Sequence, residues 1–309
     1  MIFATGAAAQ DQDLRLFTLG AGDVTGGYYA AATAICDTVN THESGALRCS
    51  PDPTTGSIYN LDALRSGELD FALVQSDWHR RAYEGSGQYT RLGPMADLRS
   101  VMGLYGETLT ILARRDAAIA GLTDLVGKRV DVGHPASGRR ATVDQVLDVM
   151  GFDDADFTQL SEFPVGAALD ALCEDDIDAT LLIVGHPNAG VGRVMQDCDA
   201  VLVPLSNDDA TAIIAGLPDM KRSIISRDSY PEMETGISSV AVTATVVTRA
   251  DIDPVIVESL VRNTLANLDI LGRKARVLQG LTPAEMHVVG LTAPLHPGAE
   301  QAFAEAGLE

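Results

Sequence analysis

Three times in the first half of this chain, a short apolar run with strand-like character exits through glycines and hydroxyl residues into a helix-forming segment. The turns are Gly20-Ala-Gly-Asp-Val-Thr-Gly-Gly-Tyr-Tyr29, Asp52-Pro-Thr-Thr-Gly-Ser-Ile-Tyr-Asn60 and Gly133-His-Pro-Ala-Ser-Gly-Arg-Arg-Ala-Thr142. Strands that alternate with amphipathic helices bury both kinds of apolar surface only as layered α/β architecture. Glycine lets the backbone approach a ligand, and a helix start offers unpaired N–H groups with partial positive charge. Three such turns in one chain predict a cleft that holds something small and anionic by its polar atoms.

The alternation continues beyond these turns. Strands are expected at Leu14–Leu19, Leu47–Ser50, Asp70–Gln75, Val101–Tyr105, Leu109–Arg114, Arg129–Gly133, Ala179–Gly185, Ala200–Leu205 and Val240–Thr248. Between them lie helical segments from Thr25 to Asn40, Ser57 to Arg65, Trp78 to Tyr83 (capped by Ser76), Ser137 to Met150 and Val165 to Cys173. Gly151 supplies a C-terminal stop, Asp253-Pro254 a capped start and Thr282-Pro-Ala-Glu285 a capping box. Gly216 to Gly236 reads as a long loop. Two sets of β/α units, with a return to the first at the chain's end, predict two lobes. The crossings are expected near Leu104–Ile111 and Thr243–Thr248, so that 11–106 plus 246–309 form one lobe and 107–245 the other.

With 309 residues, 46% of them hydrophobic, the chain can bury a core large enough for both. Its net charge of −21 excludes a nucleic-acid role, which needs clustered lysine and arginine. The positive charge is almost all arginine; the lysines are Lys128, Lys221 and Lys274. An anion site therefore needs local positive potential against an acidic background. Residues 1–10 read as a signal-peptide remnant or tail, with Ala7-Ala8-Ala9 before Gln10. Cys36, Cys49, Cys173 and Cys198 suit an exported protein; four cysteines allow three connectivities. The local pairings would each staple a helix to the start of the next strand. No C-x-x-C, H-E-x-x-H, Walker or G-x-S-x-G pattern occurs, so neither a metal nor a nucleophile is expected.

The Gly20-x-Gly22 turn suggests a dinucleotide site, and an α/β dehydrogenase or transferase using that turn is the alternative. Its third glycine falls at Gly26, one position late, and the second strand reads as ending at Ser50-Pro51 with no ribose-binding acid. His134 and His186 each follow a strand-end glycine, where side chains face the crevice of an open sheet. Arg140 and Arg139 open a helix and offer bidentate contacts to a carboxylate. Thr55, Ser57 and Ser137 offer hydroxyls or helix caps, and one of Tyr28 and Tyr29 offers a flat wall.

At this point the sequence resembles the TAXI family of extracytoplasmic solute receptors, which serve TRAP transporters. The resemblance rests on the first turn, on Thr-Gly-Ser-Ile-Tyr-Asn-Leu at 55–61, Gly-Glu-Leu-Asp-Phe-Ala-Leu-Val-Gln-Ser-Asp at 67–77 and Leu-Val-Gly-Lys-Arg-Val-Asp-Val-Gly at 125–133. Ser-Gly-Arg-Arg-Ala-Thr at 137–142, Gly-His-Pro-Asn at 185–188, Leu-His-Pro-Gly-Ala at 295–299 and Glu-Ala-Gly-Leu at 305–308 continue it. It implies an α/β type II periplasmic binding protein. Each lobe of this two-lobed clamshell is a mixed sheet flanked by helices, and two crossing strands form the hinge. It implies a monomeric periplasmic receptor, without cofactor or catalysis, that passes a small organic acid or amino acid of the glutamate or 2-oxoglutarate kind to a TRAP-type permease. The contacts it implies are Thr25, Gly26, Tyr29, Thr55, Gly56, Ser57, Asn60, Gln75, Ser137, Gly138, Arg140, Thr142 and His186. Arg139 stands where many members carry a small polar residue, which points to a second negative charge on the ligand. The cysteine pairs Cys36–Cys49 and Cys173–Cys198 also resemble those of proteobacterial members.

Overall fold

The computed structural model describes residues 14–43 and 47–308; the expected signal remnant at 1–10 lies outside the described residues. Among the described residues, ten strands form one mixed sheet. They are β1 (Arg15–Gly20), β2 (Leu47–Asp52), β3 (Phe71–Gln75), β4 (Leu98–Arg114), β5 (Arg129–Asp131), β6 (Gln159–Ser161), β7 (Ala179–Val184), β8 (Ala200–Val203), β9 (Lys221–Ile225) and β10 (Ile237–Arg249). Their order is β2-β1-β3-β10-β4-β7-β5-β6, with β8 on β4 and β9 on β10. Pairs β1–β2, β1–β3, β5–β6 and β5–β7 are parallel, whereas β4 and β10 run antiparallel to their neighbours.

The two long strands organise the molecule. β10 pairs with β3 through Ala244–Thr248 and with β9 through Ile237–Ala241. β4 pairs with β10 from Leu98 to Thr108 and with β7 from Thr108 to Ala113. Each therefore runs from the β2-β1-β3 half of the sheet into the β7-β5-β6 half. The sequence reading broke β4 in two at Gly106; the structure corrects this, because strand pairing on both flanks carries the backbone straight through. The expected loop at Gly216–Gly236 is corrected too. Lys221–Ile225 forms the edge strand β9, whose charged start disguises it as a loop.

Helices cover both faces of each half. In the first half, α1 (Gly27–His42), α8 (Pro254–Ala266), α9 (Leu268–Lys274), α10 (Pro283–Val288) and α11 (Pro297–Glu305) bury a core around Phe17, Ile35, Phe71, Met102, Leu260 and Phe303. Across the sheet, α2 (Ser57–Ser66) and α3 (Ser76–Glu84) cover Leu61, Leu73's neighbours Ala72 and Val74, and Trp78. In the second half, α4 (Gly138–Met150) and α7 (Asn207–Gly216) close on Val130, Leu181 and Val242, while α5 (Val165–Cys173) and α6 (Ala189–Asp197) cover Leu112, Leu182 and Leu202. The caps read from sequence form at α4, α8 and α10: Ser137 accepts from Arg140 N–H, Asp253 from Val255 N–H and Thr282 from Glu285 N–H. Ser76 is a correction, since its hydroxyl accepts from Thr243 N–H on β10 and caps nothing. The chain's return is pinned by Ser100, whose backbone bonds Pro294 and His296, and by Gly103, where a Cβ would meet Val289 O at 2.1 Å.

Disulfides join Cys36 to Cys49, tying α1 to β2, and Cys173 to Cys198, tying α5 to the end of α6. Non-reducing mass spectrometry of oxidised protein should find no free thiol. Replacing either pair by alanine should lower stability by about 2–4 kcal/mol in urea unfolding; a change below ~0.5 kcal/mol would show that the bridge restrains nothing.

Candidate functional site

The three glycine turns meet at the centre of the sheet. β1 delivers the first to α1, and Thr54 N–H bonds Gly22 O at 3.2 Å, joining the first turn to the second. At the second, Gly56 sits at φ +106°, a conformation that L side chains rarely adopt, and α2 starts behind it. Thr54 and Asn60 brace this turn. The Asn60 amide donates to Ala21 O and Leu73 O at 2.8 and 2.7 Å and accepts from the Thr54 hydroxyl. The third turn passes through Gly133, at φ +102°, into α4. Thr55 Oγ1 donates to Ala136 O at 3.2 Å, which closes the second turn onto the third.

These turns enclose a cavity of about 220 Å³, below the range of roughly 300–1,000 Å³ typical of drug-sized ligands. Gly22, Asp23, Gly26, Gly27, Thr54, Thr55, Gly56 and Ser57 form one wall, and His134, Ser137, Gly138 and Arg139 another. Phe163, Pro164, Val165, Ile183 and Val184 add an apolar side; Gln75, Tyr28 and Glu107 form the base. The N-caps of α1 and α2 are Gly26 and Gly56, so neither helix has a side-chain cap. Their first N–H groups are left for whatever occupies the cavity. At α4, Ser137 takes the Arg140 N–H and leaves those of Gly138 and Arg139. Three helix starts aimed at one small space favour negative charge there.

Of the residues proposed from sequence, Gly26, Thr55, Gly56, Ser57, Gln75, Ser137, Gly138 and Arg139 line this cavity. Gln75, at the end of β3, gives its N–H to Ser57 Oγ and its side-chain amide to Thr142 Oγ1. The others stand elsewhere. Thr25 gives its N–H and hydroxyl to Asp23 and lines a neighbouring groove with Pro187, Tyr230 and Lys274. Tyr29 packs on the first core, while Tyr28 takes the cavity position. Asn60 braces the second turn as described. Thr142 accepts the Trp78 indole N–H at 2.8 Å and ties α4 to α3. Arg140 points outward to Asp144 and Glu162. His186 is held between Thr110 Oγ1 and Tyr230 Oη, and burial lowers its pKa to about 4.

Arg139 is no free cation. Its guanidinium donates to Asp131, to Thr180 Oγ1 at 2.8 Å and, through Nε, to Leu181 O at 2.6 Å. Asp131 is fully buried and offsets the charge. The cavity thus has dipoles and hydroxyls but little net positive charge. Sequence reasoning offered either Tyr28 or Tyr29 and the resemblance chose Tyr29, whereas Tyr28 lines the cavity; Glu107 was missed. Tyr28 Oη donates to Glu107 Oε2 at 2.5 Å, and burial pushes the Glu107 pKa up to about 8. Contrary to the sequence expectation, β2 extends to Asp52, so an acid does end that strand. Asp52 is exposed, however, and does not line the cavity.

A mixed, curled sheet with helices on both faces and a cavity at its centre defines the periplasmic-binding-protein-like fold. The chain belongs to the NMT1-like family, whose model matches residues 19–307. Among solved structures, it is similar to MatC from Rhodopseudomonas palustris with bound malate. The TM-score is 0.60 at 14% identity, over 96% of this chain and 97% of that one. A protein from Bordetella bronchiseptica RB50 gives a TM-score of 0.59 at 14% identity, covering 96% and 100%. Among the described residues, no helix is long and apolar enough to cross a membrane, and no cluster of His, Cys, Asp and Glu could hold a metal ion.

Proposed function

We propose that this protein is an extracytoplasmic solute receptor, not an enzyme. It captures a small organic acid or acidic amino acid of the glutamate or 2-oxoglutarate kind and delivers it to a TRAP-type permease. The observation that carries the reading is the convergence of α1, α2 and α4, with glycine N-caps at the first two, on a cavity of about 220 Å³. A bound carboxylate accepts N–H groups that the protein itself leaves unused. That MatC holds malate on the same fold supports a carboxylate ligand. The resemblance to TAXI receptors supports a TRAP-type permease as the partner and the periplasm as the compartment.

In this reading residues 11–106 and 246–309 form one lobe and 107–245 the other, with β4 and β10 as the hinge. Binding closes them, because ligand contacts made from both sides favour the closed form. Several bonds that span the interface support this division: Thr55 to Ala136, Trp78 to Thr142, and Arg80 Nε to Asp219 at 2.8 Å.

A thermal-shift screen tests the proposal. Some member of a panel of C4–C6 dicarboxylates and acidic amino acids should raise the melting temperature, and NAD(H) or NADP(H) should not. A shift given by the nucleotides alone would replace the receptor with a nucleotide-dependent enzyme using the Gly20 turn.

A further inference from the structure

Glu107 poses a problem for any anion receptor. It lies at the middle of β4, paired with Val242 of β10, and next to Thr108, which pairs with Val184 of β7. Only 5% of its surface is exposed, and it lines the cavity on which three helix starts converge. Oε2 accepts from Tyr28 Oη, while Oε1 has no partner among the described residues. An ionised carboxylate here would repel the anion that those N–H groups attract.

Of the groups facing Glu107, only the Tyr28 hydroxyl stabilises its charge. Tyr28, from α1, donates one hydrogen bond; Asp77, from α3, adds a like charge; Tyr105, on the same strand, is a buried phenol. Val242 of β10, Val184 of β7 and Gly185, which follows it, are uncharged. Among the other polar cavity residues, Arg139 is committed to Asp131, Thr180 and Leu181, and Asp23 holds Thr25. His134 lines the opposite wall, where Nδ1 accepts from Ala136 N–H. Burial is the main reason that the Glu107 carboxyl titrates near 8, with Asp77 adding to the effect and the Tyr28 hydrogen bond opposing it.

We propose that Glu107 works as a neutral acid whose Oε1 hydroxyl donates a hydrogen bond to the bound anion, so that the cavity selects carboxylates over amines at this position. The inference rests on the anion-receptor reading and deepens it. It makes Glu107 a specificity-determining residue and couples binding to a proton. The sign follows from linkage: the binding-competent form is the protonated one, so affinity is flat below the Glu107 titration and falls up to tenfold per pH unit above it.

Two measurements test this. The first is the side-chain carboxyl carbon shift of Glu107, assigned by its loss in Glu107→Gln and followed by NMR against pH in the ligand-free protein. The second is calorimetry with succinate and 2-oxoglutarate, whose own groups do not titrate in the window, and with L-glutamate. The expected result is a carboxyl still protonated at about pH 7 and an affinity for the dicarboxylates that drops at least about tenfold between about pH 6.5 and about pH 9.5. In Glu107→Gln, whose amide donates without titrating, that ratio should fall to within about twofold. Glu107→Ala should bind about tenfold more weakly than Glu107→Gln. A carboxyl ionised at about pH 7 would overturn the proposal. So would affinity that rises with pH for L-glutamate and vanishes in Glu107→Gln, which would make Glu107 an ammonium acceptor. If none of the three acids binds, the anion-receptor reading fails for them and the proposal falls with it. The carboxyl shift then separates the two failures, because it still reports whether Glu107 is neutral.

Discussion

Arg139→Leu should destabilise the protein by about 3–5 kcal/mol, the largest stability loss expected from a single change around the cavity. Removing the guanidinium strands Asp131, fully buried at the end of β5. The carboxylate keeps donors from Phe163 N–H and Thr180 Oγ1, both at 2.8 Å, but loses its counter-charge. Such a group must either stay ionised in a poor solvent or take up a proton, and both options disfavour the folded state. The same arginine supports the third turn from beneath: its side chain lies 3.0 Å from where a Cβ on Gly133 would sit. Urea unfolding checks the magnitude, and the double variant Arg139→Leu with Asp131→Leu should recover most of the loss. A loss under ~1 kcal/mol in the single variant would mean that the pair is not a structural requirement.

Gly138→Val should abolish high-affinity binding, lowering affinity by about a hundredfold or more, equivalent to roughly 2.7 kcal/mol. A Cβ at Gly138 would lie 2.1 Å from Gln75 Oε1, 2.6 Å from Ser57 Oγ and 2.7 Å from Ser57 Cβ. The Gln75 amide can swing away, but Ser57 Cβ is fixed to the first turn of α2. The start of α4 must therefore move back from the start of α2. That separates two of the N–H donors that a shared anion needs to reach at once. Because the clash lies between the two halves of the sheet, opening relieves it, and stability should change less than affinity. Calorimetry with parallel urea unfolding separates these effects; unchanged affinity would mean that the ligand does not sit between α2 and α4.

Much of the architecture was legible because backbone requirements leave a mark in sequence. Glycines at φ +106° and +102° can hardly be anything else, so Gly56 and Gly133 marked two of the turns. Val165–Cys173, the caps at Ser137, Asp253 and Thr282, and the strands β5, β7 and β8 were readable for similar local reasons, whereas β6, three residues long, left no periodic run to read. What depends on rotation about a helix was not. Tyr28 and Tyr29 are consecutive, about 100° apart on α1, and only docking on the sheet decides which one reaches the cavity. Arg139 and Arg140 present the same ambiguity: one is buried against Asp131, the other pairs with Asp144 and Glu162 on the outside. Glu107 gave no signal, because Gly106-Glu107-Thr108 reads as a polar break between strands. It becomes a cavity residue only once β4 runs unbroken between β10 and β7.

These features converge on one claim, that a small organic anion is held at the meeting point of α1, α2 and α4. Isothermal titration calorimetry of the wild-type protein and Gly138→Val against C4–C6 dicarboxylates and acidic amino acids tests it directly. The account predicts a ligand that binds the wild type with one site per chain and a dissociation constant at or below the micromolar range, and that the variant loses this binding. Absence of binding by every acid in the panel, or equal binding by wild type and variant, would contradict it.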